Sequence, residues 1–144
     1  MKHESELWAT LERYGGFAGL RKLDTLHLVA EFLDAMSDGD SDDWAWGPEP
    51  GFPRWIYSPN VWRLGAVHRA LTVVGLVELC QLFDDFQKLL PDGFRGLFGA
   101  NSSENHKQFD SPAAREINVR IVDVVAQQGD EFAERVMHWF RSTP

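Results

Sequence analysis

The chain has 144 residues, 44% of them hydrophobic, with six tryptophans and a single cysteine. That is enough apolar material for one buried core, and it excludes a disordered chain, an internal disulfide framework and any site built from several cysteines. The formal net charge of −8 argues against direct contact with nucleic-acid phosphates.

The charge is unevenly spread. Eight of the 22 acids (Asp24, Glu31, Asp34, Asp38, Asp40, Asp42, Asp43 and Glu49) lie between Lys22 and Arg54 with no lysine or arginine among them, so the other 14 acids are matched by 14 bases. A negative field concentrated in one segment points to a positively charged partner. The N-terminal Met-Lys-His-Glu-Ser-Glu lacks an apolar signal core, and the longest apolar stretch, residues 70–77, is far short of the ~20 residues a membrane span needs. The expectation is a cytoplasmic protein with no membrane segment.

In chain order, residues 4–14 place Leu7, Leu11 and Tyr14 on one helical face before Gly15-Gly16. Asp24 or Thr25 is the predicted cap of a second helix whose apolar face is Leu26, Val29, Ala30, Leu33 and Met36. Gly39, Gly47, Pro48 and Pro50 then break helical structure, so residues 37–59 read as an acidic, aromatic loop. Ser58-Pro59-Asn60 opens a helix over 60–74, and Gly75 separates it from 76–90, which Pro91 ends. Residues 99–110 are polar and read as a loop.

Ser111-Pro112 is a cap followed by proline at the first helical position, opening a helix over 112–128. Gly129-Asp130 is the expected break before a last helix over 131–141. Period-two alternation is absent over any useful length. The predicted fold is all-α: a single-domain helical bundle over residues 1–144, of about six to eight helices.

Several stretches together carry a family resemblance: Gly51-Phe52, Trp55-Ile56-Tyr57-Ser58-Pro59-Asn60, Leu64-Gly65-Ala66, Ala70-Leu71, Val74-Gly75-Leu76, Cys80-Gln81-Leu82-Phe83 and Leu89-Leu90-Pro91-Asp92-Gly93. With the helix Leu26-His27-Leu28-Val29-Ala30-Glu31-Phe32-Leu33 before them, they resemble a bacterial all-α domain family of mostly unknown function that includes an acidic DNA-mimic protein. The similarity covers residues 20–140. Glu49-Pro50 stands where that family has Asn-Gly before Gly51. The resemblance implies a dimer-forming, non-enzymatic protein that presents carboxylates to a DNA-binding regulator.

Magnitude limits the mimicry. A domain of this length has a diameter of about 37 Å, and duplex DNA of that length carries about 22 charges. An excess of eight matches a short stretch of backbone rather than a whole operator.

The candidate partner-binding residues are Asp38, Asp40, Asp42, Asp43, Trp44, Trp46 and Glu49, an acidic rim beside aromatic anchors. Asp38-Gly39-Asp40-Ser41-Asp42-Asp43, with Glu49 twelfth from Asp38, is similar to a calcium loop, but Asp43 occupies the position that needs glycine, and Pro48 and Pro50 forbid the exiting helix. Arg54, Arg63 and Arg69 lie among aromatics, yet the adjacent acids would repel phosphate.

His27 and Glu31 share a helix face, a two-ligand start that nothing at matching spacing completes. His106 and Asp110 have no nucleophile at recognisable spacing, and Asp84-Asp85 reads as a solvated acid pair. Cys80, among Leu79, Leu82 and Phe83, reads as a buried inert thiol. Gly93, Gly96 and Gly99 follow a helix rather than a strand, so no phosphate loop forms, and the sequence suggests neither a cofactor nor a metal.

Three functional readings stay open. The first is a non-enzymatic module offering an acidic surface to a basic DNA-binding regulator. The second is an immunity or antitoxin-like protein occluding a basic toxin. The third is an enzyme or metal-binding helical protein using His27, Glu31 and dispersed carboxylates.

Overall fold

A computed structural model describes residues 2–13, 21–37, 64–90, 93 and 111–144, with side chains from Glu6 onward. Among them every regular element is helical: α1 (Lys2–Arg13), α2 (Arg21–Ser37), α3 (Leu64–Val73), α4 (Val77–Lys88) and α5 (Pro112–Ser142). The all-α expectation holds for these residues. The loops expected at 37–59 and 99–110 lie outside the described residues but for Ser37, which closes α2. None of the described helices is long and apolar enough to cross a membrane.

α2 is the most enclosed of the short helices. Leu23, Leu26, Val29, Ala30, Phe32, Leu33 and Met36 are all buried, a spread wide enough to meet α1, α3 and α5 at once. Each helix packs on its chain neighbour, and α5 returns to touch α1, α2 and α4, closing the ring. The largest fully buried side chains, Phe32, Phe83, Phe86 and Phe132, come from α2, α4 and α5. Phe32 and Phe83 meet with ring centres 5.9 Å apart. At roughly 1.5–3 kcal/mol for each large apolar side chain, such burial outweighs any local helix preference.

Two expected boundaries move. α2 begins at Arg21, so Asp24 is not its cap; it lies in the first turn, where its carboxylate still faces the positive end of the helix. No break occurs at Gly129-Asp130: α5 runs unbroken for 31 residues, about 46 Å at 1.5 Å per residue. Gly129 costs about 1 kcal/mol relative to alanine in a helix interior. Burial of Ile121 and Val125 on one side and Phe132, Ala133 and Val136 on the other offsets it. One helix therefore stands where two were expected.

Other signals hold. Ser111 caps α5, its Oγ accepting from the Ala114 N–H at 3.2 Å, and Pro112 follows at the first position. The α3–α4 break at Gly75 is a Schellman closure. Gly75 N–H donates to Thr72 O (3.1 Å) and Leu76 N–H to Leu71 O (3.0 Å), with Gly75 at φ 84°. Leu71 and Leu76, the apolar pair that accompanies this motif, are both fully buried.

Candidate functional site

The seven predicted partner-binding residues, Asp38, Asp40, Asp42, Asp43, Trp44, Trp46 and Glu49, lie outside the described residues. The structure does place the start of the acidic window. At 100° per residue, Asp24, His27, Glu31 and Asp34 fall within an arc of about 80° on α2. Asp24 and His27 are exposed, and Glu31 and Asp34 are half-buried. Lys22, the last base before the window, is turned away: its Nζ donates to Thr143 O at 3.0 Å and sits 4.4 Å from the Phe140 ring centre. The outward stripe of α2 after Lys22 is therefore acidic apart from His27.

His27 and Glu31 are held by one another. Nε2 and Oε1 are 2.8 Å apart, and the Trp8 ring of α1 meets the imidazole edge-on at 5.8 Å. No group of three or more metal-type ligands gathers among the described residues. This pair is a helix-surface hydrogen bond with an aromatic wall.

A polar cluster that the sequence did not signal forms across the α3–α4 hairpin. His68 and Thr72 on α3 face Cys80 and Asp84 on α4, four residues apart on each helix. Cys80 Sγ lies 3.4 Å from Thr72 Oγ1, and Thr72 Oγ1 donates to the His68 carbonyl at 2.9 Å. Either atom of the Thr72–Cys80 pair can donate, and a hydroxyl turned toward the sulfur favours the thiolate.

His68 Nε2 is 3.0 Å from Asp84 Oδ1 but misaligned, so this buried atom has no hydrogen bond. Phe83 covers the imidazole edge at 5.5 Å. A cysteine, a histidine and an aspartate so placed suggest nucleophilic chemistry, but the thiol is poorly activated. Burial pushes the Cys80 pKa up, the Thr72 contact opposes this, and the negative charge of Asp84 raises it further. A protonated thiol is neither nucleophile nor ligand. Cys80 is half-buried rather than buried.

Arg135 locks α5 to the start of α4. Its two terminal nitrogens donate to Glu78 Oε1 (2.9 Å) and Oε2 (3.0 Å), and Nη2 also donates to Glu131 Oε1 at 2.7 Å. The guanidinium holds Glu78 below the usual carboxylate range, and the two acids raise the Arg135 pKa. Glu131 and Arg135 are visible in sequence as an i,i+4 pair, whereas Glu78 is 57 residues from Arg135 and needs the fold. At the other edge of α5, Arg141 donates to Glu6 of α1 at 2.7 Å.

No family model matches the chain, and no curated protein or solved structure matches it either. Among the described residues the protein is all-helical, and its acidic window begins on α2.

Proposed function

We propose that this chain is a non-enzymatic, cytoplasmic protein-binding module. It uses the outward stripe of α2 and the acidic-aromatic residues 38–49 to engage a basic protein surface, on a bundle of about six to eight helices. The observation that carries the reading is the charge partition: no lysine or arginine after Lys22 until Arg54, and eight acids between them. The placement of Asp24, Glu31 and Asp34 on one side of α2 supports it, because aligned charges steer a partner more strongly than scattered ones. The raised pKa of Cys80, which keeps the thiol protonated, makes the one cysteine-histidine-aspartate cluster a weak rival.

The partner chemistry is a cationic surface that otherwise contacts phosphate. A DNA-binding regulator, to which the family resemblance points, and a basic nuclease toxin share it. The DNA-mimic and homodimer expectations belong to this same reading.

The test is capture from native cell extract at low salt, using the wild-type chain and the triple variant Asp40→Asn, Asp42→Asn, Asp43→Asn. Retention by the wild type alone, lost between low and moderate salt, supports the reading. Equal retention by the folded triple variant removes it. Displacement of the retained protein by a specific duplex marks a regulator, and loss of its nuclease activity on binding marks a toxin.

A further inference from the structure

A second surface lies between the α3–α4 turn and the last turns of α5. An open groove of about 550 Å³ runs between the α3–α4 hairpin and the last turns of α5, lined by Val74, Gly75, Glu134, Arg135, His138 and Trp139, with Ser142 at its end. Beside it on the hairpin, Val73 and Val77 are 56% and 64% exposed, the two most exposed large apolar side chains described. Trp139 is half-buried against the core and offers its remaining face to the groove.

The charges around this groove are lopsided. Arg135 is its one formal cation and is already held by Glu78 and Glu131. Glu134 is exposed on the lining, and the negative end of the α5 dipole lies at Ser142. The positive end of α4 is matched by Glu78 in its first turn.

Seven residues are well short of the 20–30 a side of an ordinary stable interface, so the groove suits the anchor of a short segment rather than a whole face. A second copy would bring the same surplus of acid against itself, on chains that each carry −8.

We propose that this groove docks a short segment of a partner protein, which lays one large apolar side chain on Trp139 and sets a lysine or arginine against Glu134. The arrangement follows the common design of an aromatic anchor inside a charged rim. None of the lining residues belongs to the acidic window.

The test titrates the isotopically labelled full chain with an amphipathic leucine-lysine helical peptide, and with a leucine-glutamate peptide of the same pattern. The readout is the Trp139 indole N–H signal, assigned by its loss in Trp139→Phe. A saturable shift with the lysine peptide alone is expected. Glu134→Lys and Ser142→Arg, both at exposed positions, should each weaken it by about tenfold or more, as close like charges do, with melting temperature held.

The Asp40→Asn, Asp42→Asn, Asp43→Asn variant should leave this shift intact. If that variant abolishes binding while Glu134→Lys and Ser142→Arg do not, the groove is overturned and the acidic window stands. An unmoved Trp139, a Trp139 signal that shifts with protein concentration alone (a second copy), or an indole already sealed in the free chain (cover by the chain itself) each overturns the proposal.

Discussion

Arg135 and Glu78 meet through two parallel hydrogen bonds of 2.9 and 3.0 Å, fastening the middle of the C-terminal half of α5 to the first turn of α4. Both side chains are about a third exposed, 34% and 35%, so solvent screens the pair and its worth is about 1 kcal/mol or less. Its pH dependence has a definite sign. The folded pKa of Glu78 lies below the ordinary value of 4.5, so the contribution is complete above that value and fades as pH falls through the folded pKa. Urea unfolding between pH 7 and pH 3 should show a smaller acid loss for Glu78→Gln than for wild type. On an Arg135→Met background, Glu78→Gln should no longer change the acid loss.

Gly75 closes α3 at φ 84°, and a Cβ built there meets nothing within 4 Å. Substitution therefore tests backbone strain without steric clash. Gly75→Ala should lower stability by about 1–2 kcal/mol, the usual cost of the left-handed region for a residue with a Cβ. Gly75→Asn should cost less because asparagine tolerates that region, and Gly75→Val more. Guanidinium midpoints in that order support the strain account; a cost-free Gly75→Val would contradict it.

The same glycine shows why parts of the fold were legible from sequence. Gly75 and Ser111-Pro112 are local signals, since turn and cap chemistry act within four residues, and both ended or opened helices where expected. Gly129 misled for the complementary reason: a helix interior is kept by what it packs against, which local spacing does not report. The α2 start failed similarly, because Leu23 is buried with the rest of its apolar face and carries the helix back past Asp24. Of the functional reading, the acidic window and the shared helix face of His27 and Glu31 were legible in the sequence. The Thr72–Cys80 and Glu78–Arg135 contacts were not, since each depends on how two helices meet. The groove on Trp139 joins α5 to the α3–α4 turn and leaves no pattern in either alone.

Cys80 gives a direct reading of its surroundings. Burial raises its pKa above the ordinary 9.0, the Thr72 contact opposes this, and Asp84 adds to it. Modification by a thiol-reactive probe should be slow at pH 7 and climb with a midpoint above that of a free thiol. Thr72→Val removes the opposing contact and should shift the midpoint upward. Asp84→Asn removes a repelling charge and should shift it downward. A Cys80 that reacts faster than a small free thiol at pH 7 would show an activated cysteine and reopen the catalytic reading of this hairpin.

Phe83 stands between Phe32 of α2 and His68 of α3, 5.9 Å and 5.5 Å away by ring centres, and is fully buried. It is therefore one of the side chains through which α4 shares a core with α2 and α3. Phe83→Ala should cost about 3–5 kcal/mol through lost burial and a residual cavity. Phe83→Leu keeps most of the volume and should cost less than about 1.5 kcal/mol. Because the ring also covers the edge of His68 beside Asp84, both substitutions should change the His68 imidazole chemical shifts, and His27, 41 residues away in sequence on α2, should keep its own. If His68 is unmoved while stability falls, Phe83 acts through packing with Phe32 alone, and the histidine owes its placement to Asp84.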